Sequence, residues 1–125
     1  MLFDTTQIAL ERAISGASQR NEALAANLAN ANTPGYQRVD VDFHSALASA
    51  LSSRDASAQR DALDSMTFTP QADLSAGATR ADGSTVDVEA ESAKLSANAL
   101  EQQAEVQIAK TRIGILQSAI GVAGH

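Results

Sequence analysis

Apolar and small residues recur at alternating spacings of four and three at both ends of this 125-residue chain. This spacing is the a/d pattern of helices that pack against one another in pairs. The N-terminal series is Phe3, Gln7, Leu10, Ile14, Ala17, Asn21, Leu24, Leu28 and Ala31, and the C-terminal series is Leu95, Ala99, Gln102, Val106, Ala109, Ile113, Leu116 and Ile120. We predict an all-α fold in which two long terminal helices pair as a coiled-coil-like hairpin, with a short helix and a long, partly disordered connecting segment between them.

The larger apolar residues of the two series define a predicted helix-packing seam. Its members are Leu10, Ile14, Leu24, Leu28, Leu95, Val106, Ile113, Leu116 and Ile120. A second apolar line on the C-terminal helix contains Leu100, Ile108, Ile115 and Val122. Because a helix that is apolar on two sides needs two neighbours, we expect the second line to contact another molecule.

Pro34 and Gly35 end the first predicted helix, because proline lacks a backbone donor and clashes with the preceding turn. The chain then divides into an N-terminal helix at 1–32, a turn and extended segment at 33–44, a short helix plus flexible connector at 45–85, and a C-terminal helix at 86–123. The short helix is expected from Phe43 to about Leu51. Most of 52–83 is expected to be loop, with Thr67 to Thr69 as its strand-like fragment.

The composition limits both the core and the partners of the chain. Aromatic residues make up 3%, and tryptophan and cysteine are absent, so we expect stability to come from long helices packing along their length after assembly. Nine basic residues against 15 acidic ones give a net charge of −6. This balance argues against nucleic acid as a partner and favours a protein surface.

The first residues, MLFDTTQIALER, lack the basic region and apolar run of a cleavable signal peptide. No stretch reaches the roughly 18 apolar residues that a membrane-spanning helix needs. If the protein leaves the cytoplasm, we expect it to use a route that does not read such a signal.

Asp40, Asp42 and His44 alternate along the chain, so in an extended conformation they would share one face and could hold a metal or act as acid and base. The alternation is also the ordinary pattern of a strand with one solvated face, and we favour that interpretation. The sequence contains no phosphate-binding glycine loop, activated serine or zinc spacing. We therefore predict a protein with no catalytic residues, no cofactor and no metal.

Four asparagines, Asn21, Asn27, Asn30 and Asn32, lie close to the end of the first helix. A buried amide at the seam position of Asn21 would fix register at a cost in stability. The others could cap the helix or tolerate the turn. Tyr36, the only tyrosine, could anchor this turn or contact a neighbour, and the composition does not decide between these roles.

The stretch NLANANTPGYQR closely resembles the N-terminal signature of the bacterial flagellar rod, hook and hook-filament junction proteins. The matching residues are Asn27, Leu28, Ala29, Asn30, Thr33, Pro34, Gly35, Tyr36 and Arg38. The C-terminal helix is similar to that of one of the two proximal rod proteins, through Gly83, Val86, Asp87, Glu89, Glu91, Asn98, Leu100, Gln103 and Ala104. Gln102 and Glu101 depart from that pattern. The length leaves no room for the β-rich domains of the distal rod and hook proteins.

The resemblance implies a non-enzymatic subunit of the flagellar rod, the drive shaft that crosses the periplasm and carries motor torque to the hook. It also implies export through the flagellar type III apparatus. The implied partners are copies of itself, other rod proteins, the adaptor between the rod and the membrane ring, and the export gate, whose loose motif fits Phe43 and Leu47. We expect Asn27, Asn30, Tyr36 and Arg38 at the subunit interface. The other proximal rod protein, or a helical adaptor or secretion chaperone, is the alternative.

Overall fold

A computed structural model describes residues 2–74 and 80–123 of the chain. In these ranges it contains the helices α1 (Leu2–Ala29), α2 (Phe43–Leu51), α3 (Ala56–Asp64) and α4 (Val88–Ala123), and the strands β1 (Val39–Asp40) and β2 (Gln71–Ala72). The predicted all-α class with two long, paired terminal helices is confirmed. The division into four predicted segments stays a prediction.

Helices α1 and α4 pack against each other in antiparallel directions. Asn98 of α4 contacts Ala17 of α1, whereas Asn27, further along α1, contacts Glu91, which lies earlier in α4. Ala17 and Leu24 are fully buried, and small side chains let the two helices approach closely. The hairpin therefore packs through many small contacts along its length, as the heptad spacing predicts.

Helix α4 is longer than its partner and extends beyond it. From the contact between Asn98 and Ala17, α4 continues for 25 residues to Ala123, whereas α1 continues for 15 residues to Leu2. The overhang is about ten residues, or roughly 15 Å at the rise of an α-helix. No helix in the described residues has the combination of length and mean hydropathy that crossing a bilayer demands.

The predicted seam residues differ in burial along the hairpin. Leu24 is buried, and Leu10, Ile14, Leu28, Leu95 and Val106 are partly buried. Ile113, Leu116 and Ile120 are exposed, because they lie where α4 passes the end of α1. That these three residues pack against a helix stays a prediction, and the helix would belong to another subunit. The side chains of Phe3 and Val122, which belong to the predicted apolar lines, lie outside the described part.

The largest side chain in the core is Phe43, at the start of α2. It packs with Ala17, Ala23 and Val41, and its ring meets the edge of Phe68 at a centroid distance of 6.2 Å. Asp42 caps α2 by accepting the Ser45 N–H at 3.3 Å. In this way a few large residues form a satellite core on the side of the helical hairpin.

The connector contains helix α3, where we expected loop. Its sequence, ASAQRDALD, gives little periodic signal because Leu63 is its only large apolar residue. The helix forms because Asp55 caps its N-terminus, Leu63 is buried, and Arg12 of α1 donates to the Leu63 and Asp64 carbonyls at 2.9 and 3.1 Å. Tertiary contacts thus supply what local propensity lacks.

The expected strand-like fragment at Thr67 to Thr69 lies just before a strand rather than in one. The strand is β2, which pairs antiparallel with β1 in the register Val39 to Ala72 and Asp40 to Gln71. Each strand has two residues. The pairing therefore fastens the connector to the turn that follows α1 rather than forming a sheet core.

Gly16 allows α2 to dock on α1, since a Cβ at this position would lie 2.6 Å from the Cβ and Cγ of Phe43. We expect Gly16→Ala to lower the free energy of unfolding by about 1–3 kcal/mol through overpacking. The matched control is Gly114→Ala in α4, where nothing lies within 4 Å of the added carbon. That change is expected to stabilise the helix by about 0.5–1 kcal/mol. Urea unfolding of both variants measures the difference, and equal effects would contradict the docking.

Candidate functional site

Asn27, in the last turns of α1, acts as a strand partner for β1. Its Oδ1 accepts the N–H of Val39 at 2.9 Å, and its Nδ2 donates to the Val39 carbonyl at 2.7 Å. The same Nδ2 donates to Glu91 at 3.1 Å, and the Tyr36 hydroxyl donates to Oδ1 at 3.3 Å. A side-chain amide carries the donor and acceptor of a peptide group. Asn27 therefore pairs with the edge of β1 that faces away from β2.

The turn after α1 rests against the segment that precedes α4. Gly35 and Gly83 adopt positive φ angles of 73° and 82°, a region that side chains other than glycine enter at a cost. The Gly35 N–H donates to the Asp82 carbonyl at 2.8 Å, and a Cβ at Gly83 would lie 3.3 Å from the Gly35 Cα. The two turns are thus in direct backbone contact.

The end of α1 receives its cap from the same segment. Arg80 donates to the Ala31 carbonyl at 2.9 Å, and the buried Ser84 hydroxyl donates to it at 3.4 Å. Within the turn, the Asn30 amide donates to the Ala26 carbonyl at 2.8 Å. Carbonyls at a helix end need such partners, so the end of α1 and the approach to α4 stabilise each other.

A buried charge cluster lies beneath this turn and consists of Arg20, Arg38, Asp40, Asp73 and Glu91. Arg38 is 4% exposed and Glu91 is 1% exposed. The Arg38 guanidinium pairs with Glu91, with Asp73, and with Asp40 at 3.1 Å, while Arg20 pairs with Asp40 at 2.9 Å. Two cations thus face three carboxylates, for a net charge of −1.

The pKa values in the cluster reflect this pairing. Burial alone would lower the pKa of Arg38, but the hydrogen bonds and charges of Glu91 and Asp40 outweigh burial and raise it above its ordinary value. Burial would raise the pKa of Asp40, yet the hydrogen bonds from Arg20 and from the Val41 N–H lower it. Both shifts favour the charged forms of Arg38 and Asp40, so their ion pair is a fixed structural link.

The signature residues fall into three groups by exposure. Thr33, Pro34, Gly35 and Ala29 are exposed, Leu28, Asn30 and Tyr36 are partly buried, and Asn27 and Arg38 are buried. We expected Asn27 and Arg38 at a subunit interface, but they lie inside the chain because their polar atoms bind β1, α4 and the connector. Of the export-gate residues, Phe43 is fully buried and Leu47 is partly buried.

Asp40, Asp42 and His44 have three separate roles rather than a common one. Asp40 pairs with two arginines, Asp42 caps α2, and His44 lies 2.5 Å from Glu101 of α4. In residues 2–74 and 80–123 no group of three histidine or acidic side chains is arranged to hold a metal ion. The three side chains therefore contribute separately to the charge cluster, to the N-terminal cap of α2 and to the contact between α2 and α4.

Sequence reasoning missed the partners of Arg38. Glu91 matched the C-terminal pattern of the resemblance, but nothing in its local sequence indicates that it is buried. Asp73 lies in a connector with no recognisable motif. The sequence did indicate that Arg38 would form ion pairs, because it follows a predicted turn in a chain with an excess of carboxylates. It did not indicate which carboxylates these are. The spacing of 53 residues between Arg38 and Glu91 gives no local pattern.

Comparison with known proteins shows which family this sequence resembles. Residues 8–37 match the family model described as "Flagella basal body rod protein". FlgB, the flagellar basal body rod protein of Escherichia coli strain K12, is 37% identical over 106 residues, covering 74% of this chain and 76% of the relative. FlgB of Aeromonas hydrophila is 31% identical over 118 residues, covering 86% of both. FlgB of Salmonella typhimurium strain LT2 is 57% identical over 37 residues, 30% of this chain and 27% of the relative.

The matched region contains α1 from residue 8 onwards and most of the signature turn. The relatives extend the likeness over most of the chain. The chain belongs to the FlgB family of flagellar basal body rod proteins. The resemblance to the flagellar rod proteins is therefore confirmed. The relatives are named as the expected rod protein, FlgB, and not as the alternative, FlgC. As a member of this structural family, the chain is a component of the basal body rod and assembles with other rod components.

Removing the Arg38 charge would leave Glu91 buried without its cation. We expect Arg38→Met to lower the free energy of unfolding by about 3–5 kcal/mol. Arg38→Met combined with Glu91→Leu should recover much of that loss, because the two most deeply buried charges of the cluster are removed together. Urea unfolding measures the series, with the exposed Arg54→Met as the matched control, expected within about 0.5 kcal/mol of wild type. A loss in the double variant as large as in Arg38→Met would contradict this account.

Proposed function

We propose that this chain is a structural subunit of the proximal rod, and that copies pack helix against helix to form part of a shaft that transmits motor torque to the hook. The observation that carries the proposal is the exposed apolar surface of α4. Its overhang stripe consists of Ile113, Leu116 and Ile120, which are 48%, 43% and 73% exposed. These residues continue the spacing of the α4 residues that pack on α1, so the stripe is suited to another helix.

A second exposed surface supports contact with more than one neighbour. The outer line contains Leu100, Ile108 and Ile115, which are 68%, 53% and 64% exposed. It lies on the side of α4 that faces away from α1. Large apolar side chains grouped on a surface are typical of protein interfaces. We propose that copies of this chain, other rod proteins and the adaptor to the membrane ring cover these two surfaces.

The internal links of the chain suit a subunit that carries torque. The buried charge cluster joins α1, β1, the connector and α4 through charged hydrogen bonds, and the two glycine turns are in contact. Buried, fully paired groups resist displacement more than solvated ones do. A load applied to one long helix is therefore passed to the other within one subunit.

We further propose that the chain reaches the periplasm through the flagellar type III export apparatus. The motif expected to bind the export gate begins at Phe43, which is fully buried between Gly16 and Phe68. A gate could bind this side chain only before α2 packs on α1. The proposal therefore requires that export precedes the folding of this region.

Ile113→Asp tests the assembly proposal without disturbing the core, because the side chain is exposed in the single chain. We expect the variant to unfold at a urea concentration close to wild type, to be exported, and to be missing from isolated basal bodies, with loss of motility. The matched control is Ser92→Asp, which adds the same charge to an exposed position of α4 that belongs to neither the overhang stripe nor the outer line. Normal rods with Ile113→Asp would contradict the role of the overhang stripe.

Phe43→Ala and Gly16→Ala together test the order of export and folding. Both weaken the packing of α2 on α1, but only Phe43→Ala removes the proposed motif. We expect Phe43→Ala to reduce the secreted fraction of the protein several-fold, whereas Gly16→Ala leaves it equal or higher. The measurement is the ratio of secreted to cytoplasmic protein for each variant. A similar reduction in both variants would show that export depends on the folded core and not on the motif.

A further inference from the structure

Asn98 of α4 is a polar residue in the interface between the two long helices. Its side chain is fully buried, and its Nδ2 donates to the Ala17 carbonyl of α1 at 2.8 Å. Its Oδ1 is shielded from solvent and accepts no hydrogen bond within the described part of the chain. A buried amide with only some of its bonds made costs stability compared with an apolar side chain. Asn98 is therefore poorly suited to stabilising the hairpin through packing alone.

The apolar contacts of the hairpin do not by themselves fix how the two helices are aligned. Both helices carry small or apolar residues every seven positions, such as Leu10, Ala17 and Leu24 on α1. The matching residues on α4 include Ala99 and Val106. If α4 slides by seven residues along α1, small and apolar side chains again meet one another. The heptad pattern therefore permits neighbouring registers as well as the observed one.

The residues seven positions before and after Asn98 carry a charge in place of its amide. They are Glu91 and Glu105, and they lie on the same line of α4 because seven residues make nearly two full turns. A slide of seven residues in either direction would bring one of these carboxylates to the Ala17 carbonyl. An ionised carboxylate can only accept hydrogen bonds, as can a carbonyl, so the two would repel each other. The donor at position 98 thus fits the observed register and neither of the adjacent ones.

We infer that Asn98 is a register-determining residue, which aligns α4 on α1 and thereby sets how far α4 extends beyond its partner helix. A slide of seven residues moves one helix along the other by about 10 Å, so the overhang would become about 17 residues or about three. In coiled coils, a single buried polar residue fixes register at a similar cost in stability. The exposure of Ile113, Leu116 and Ile120 in the overhang depends on this choice.

A second contact holds the same register closer to the turn. Glu91 is 1% exposed, pairs with Arg38, and accepts a hydrogen bond from Asn27 of α1. His44 also contacts Glu101 of α4, but this pair is open to solvent, where ion pairs contribute little. The effect of Asn98 on register is therefore expected to become visible when the pair of Arg38 and Glu91 is removed. Register is a property of the single chain, so it does not depend on the proposed assembly of the rod.

Spin-label distances measured by double electron–electron resonance on the full chain report the register directly. The chain contains no cysteine, so Ser15→Cys and Ser118→Cys place one label at an exposed position of each long helix. A slide of seven residues changes the separation of the labels by about 10 Å. Dilute protein keeps the measured distance within one molecule.

The variants compare Asn98 with alanine in two backgrounds, the wild type and a pair-deleted chain that carries Arg38→Met and Glu91→Leu. We expect a single distance in the wild type, in the pair-deleted chain and in Asn98→Ala alone. Asn98→Ala in the pair-deleted chain should show a second distance that is longer by about 10 Å. This direction is expected because the slide that lengthens the overhang brings position 91 to Ala17, and its carboxylate has been removed.

Matched variants separate register from general loss of stability. Ser96→Ala changes an exposed position of α4 and should keep a single distance in the pair-deleted chain. Asn98→Leu should behave as Asn98→Ala does, which excludes an effect of the cavity that alanine leaves. A second distance in the pair-deleted chain with Asn98 intact, a single unchanged distance without it, or a new distance that is shorter would overturn the inference. Loss of the helical circular dichroism signal in both Asn98 variants would also overturn it, because Asn98 would then act on stability.

Discussion

The burial of one arginine charge is the constraint on which the turn region of this molecule depends. Arg38 is almost fully removed from water, and such a group is tolerated only where carboxylates compensate it. Its partners come from β1, from the connector and from α4, so the cluster is complete only when these segments have met. The packing of the turn is therefore coupled to the pairing of the long helices.

This dependence gives the family signature a physical meaning. In the single chain Asn27 is fully buried, both ends of its amide bind the backbone of Val39, and its remaining hydrogen bonds are with Glu91 and Tyr36. Asn27 and Arg38, the two buried polar residues of the signature, bind other parts of the same chain. The large apolar side chains of α4, by contrast, are exposed in the single chain.

The parts of the fold that follow from local patterns could be predicted from the sequence. The heptad spacing indicated the paired helices, and Pro34 with Gly35 indicated that the first one ends before them, whereas the observed end at Ala29 lies three residues before the predicted boundary at 32. Helix α3 could not be found in this way, because its stability comes from Leu63 and from Arg12 on a distant helix. The same holds for Glu91, whose burial is decided by a partner 53 residues away. Pairings between distant polar residues leave no periodic trace in a single sequence.

The position of Asn27 also bears on how such a chain avoids aggregation. A strand with an open edge can recruit a strand from another molecule, and this risk grows when many copies accumulate at one place. The side chain of Asn27 occupies the outer edge of β1 at Val39, so that edge offers no free backbone pair to an incoming strand. The amide thereby protects the chain from strand-to-strand association at this edge, which is compatible with the proposed assembly through helices.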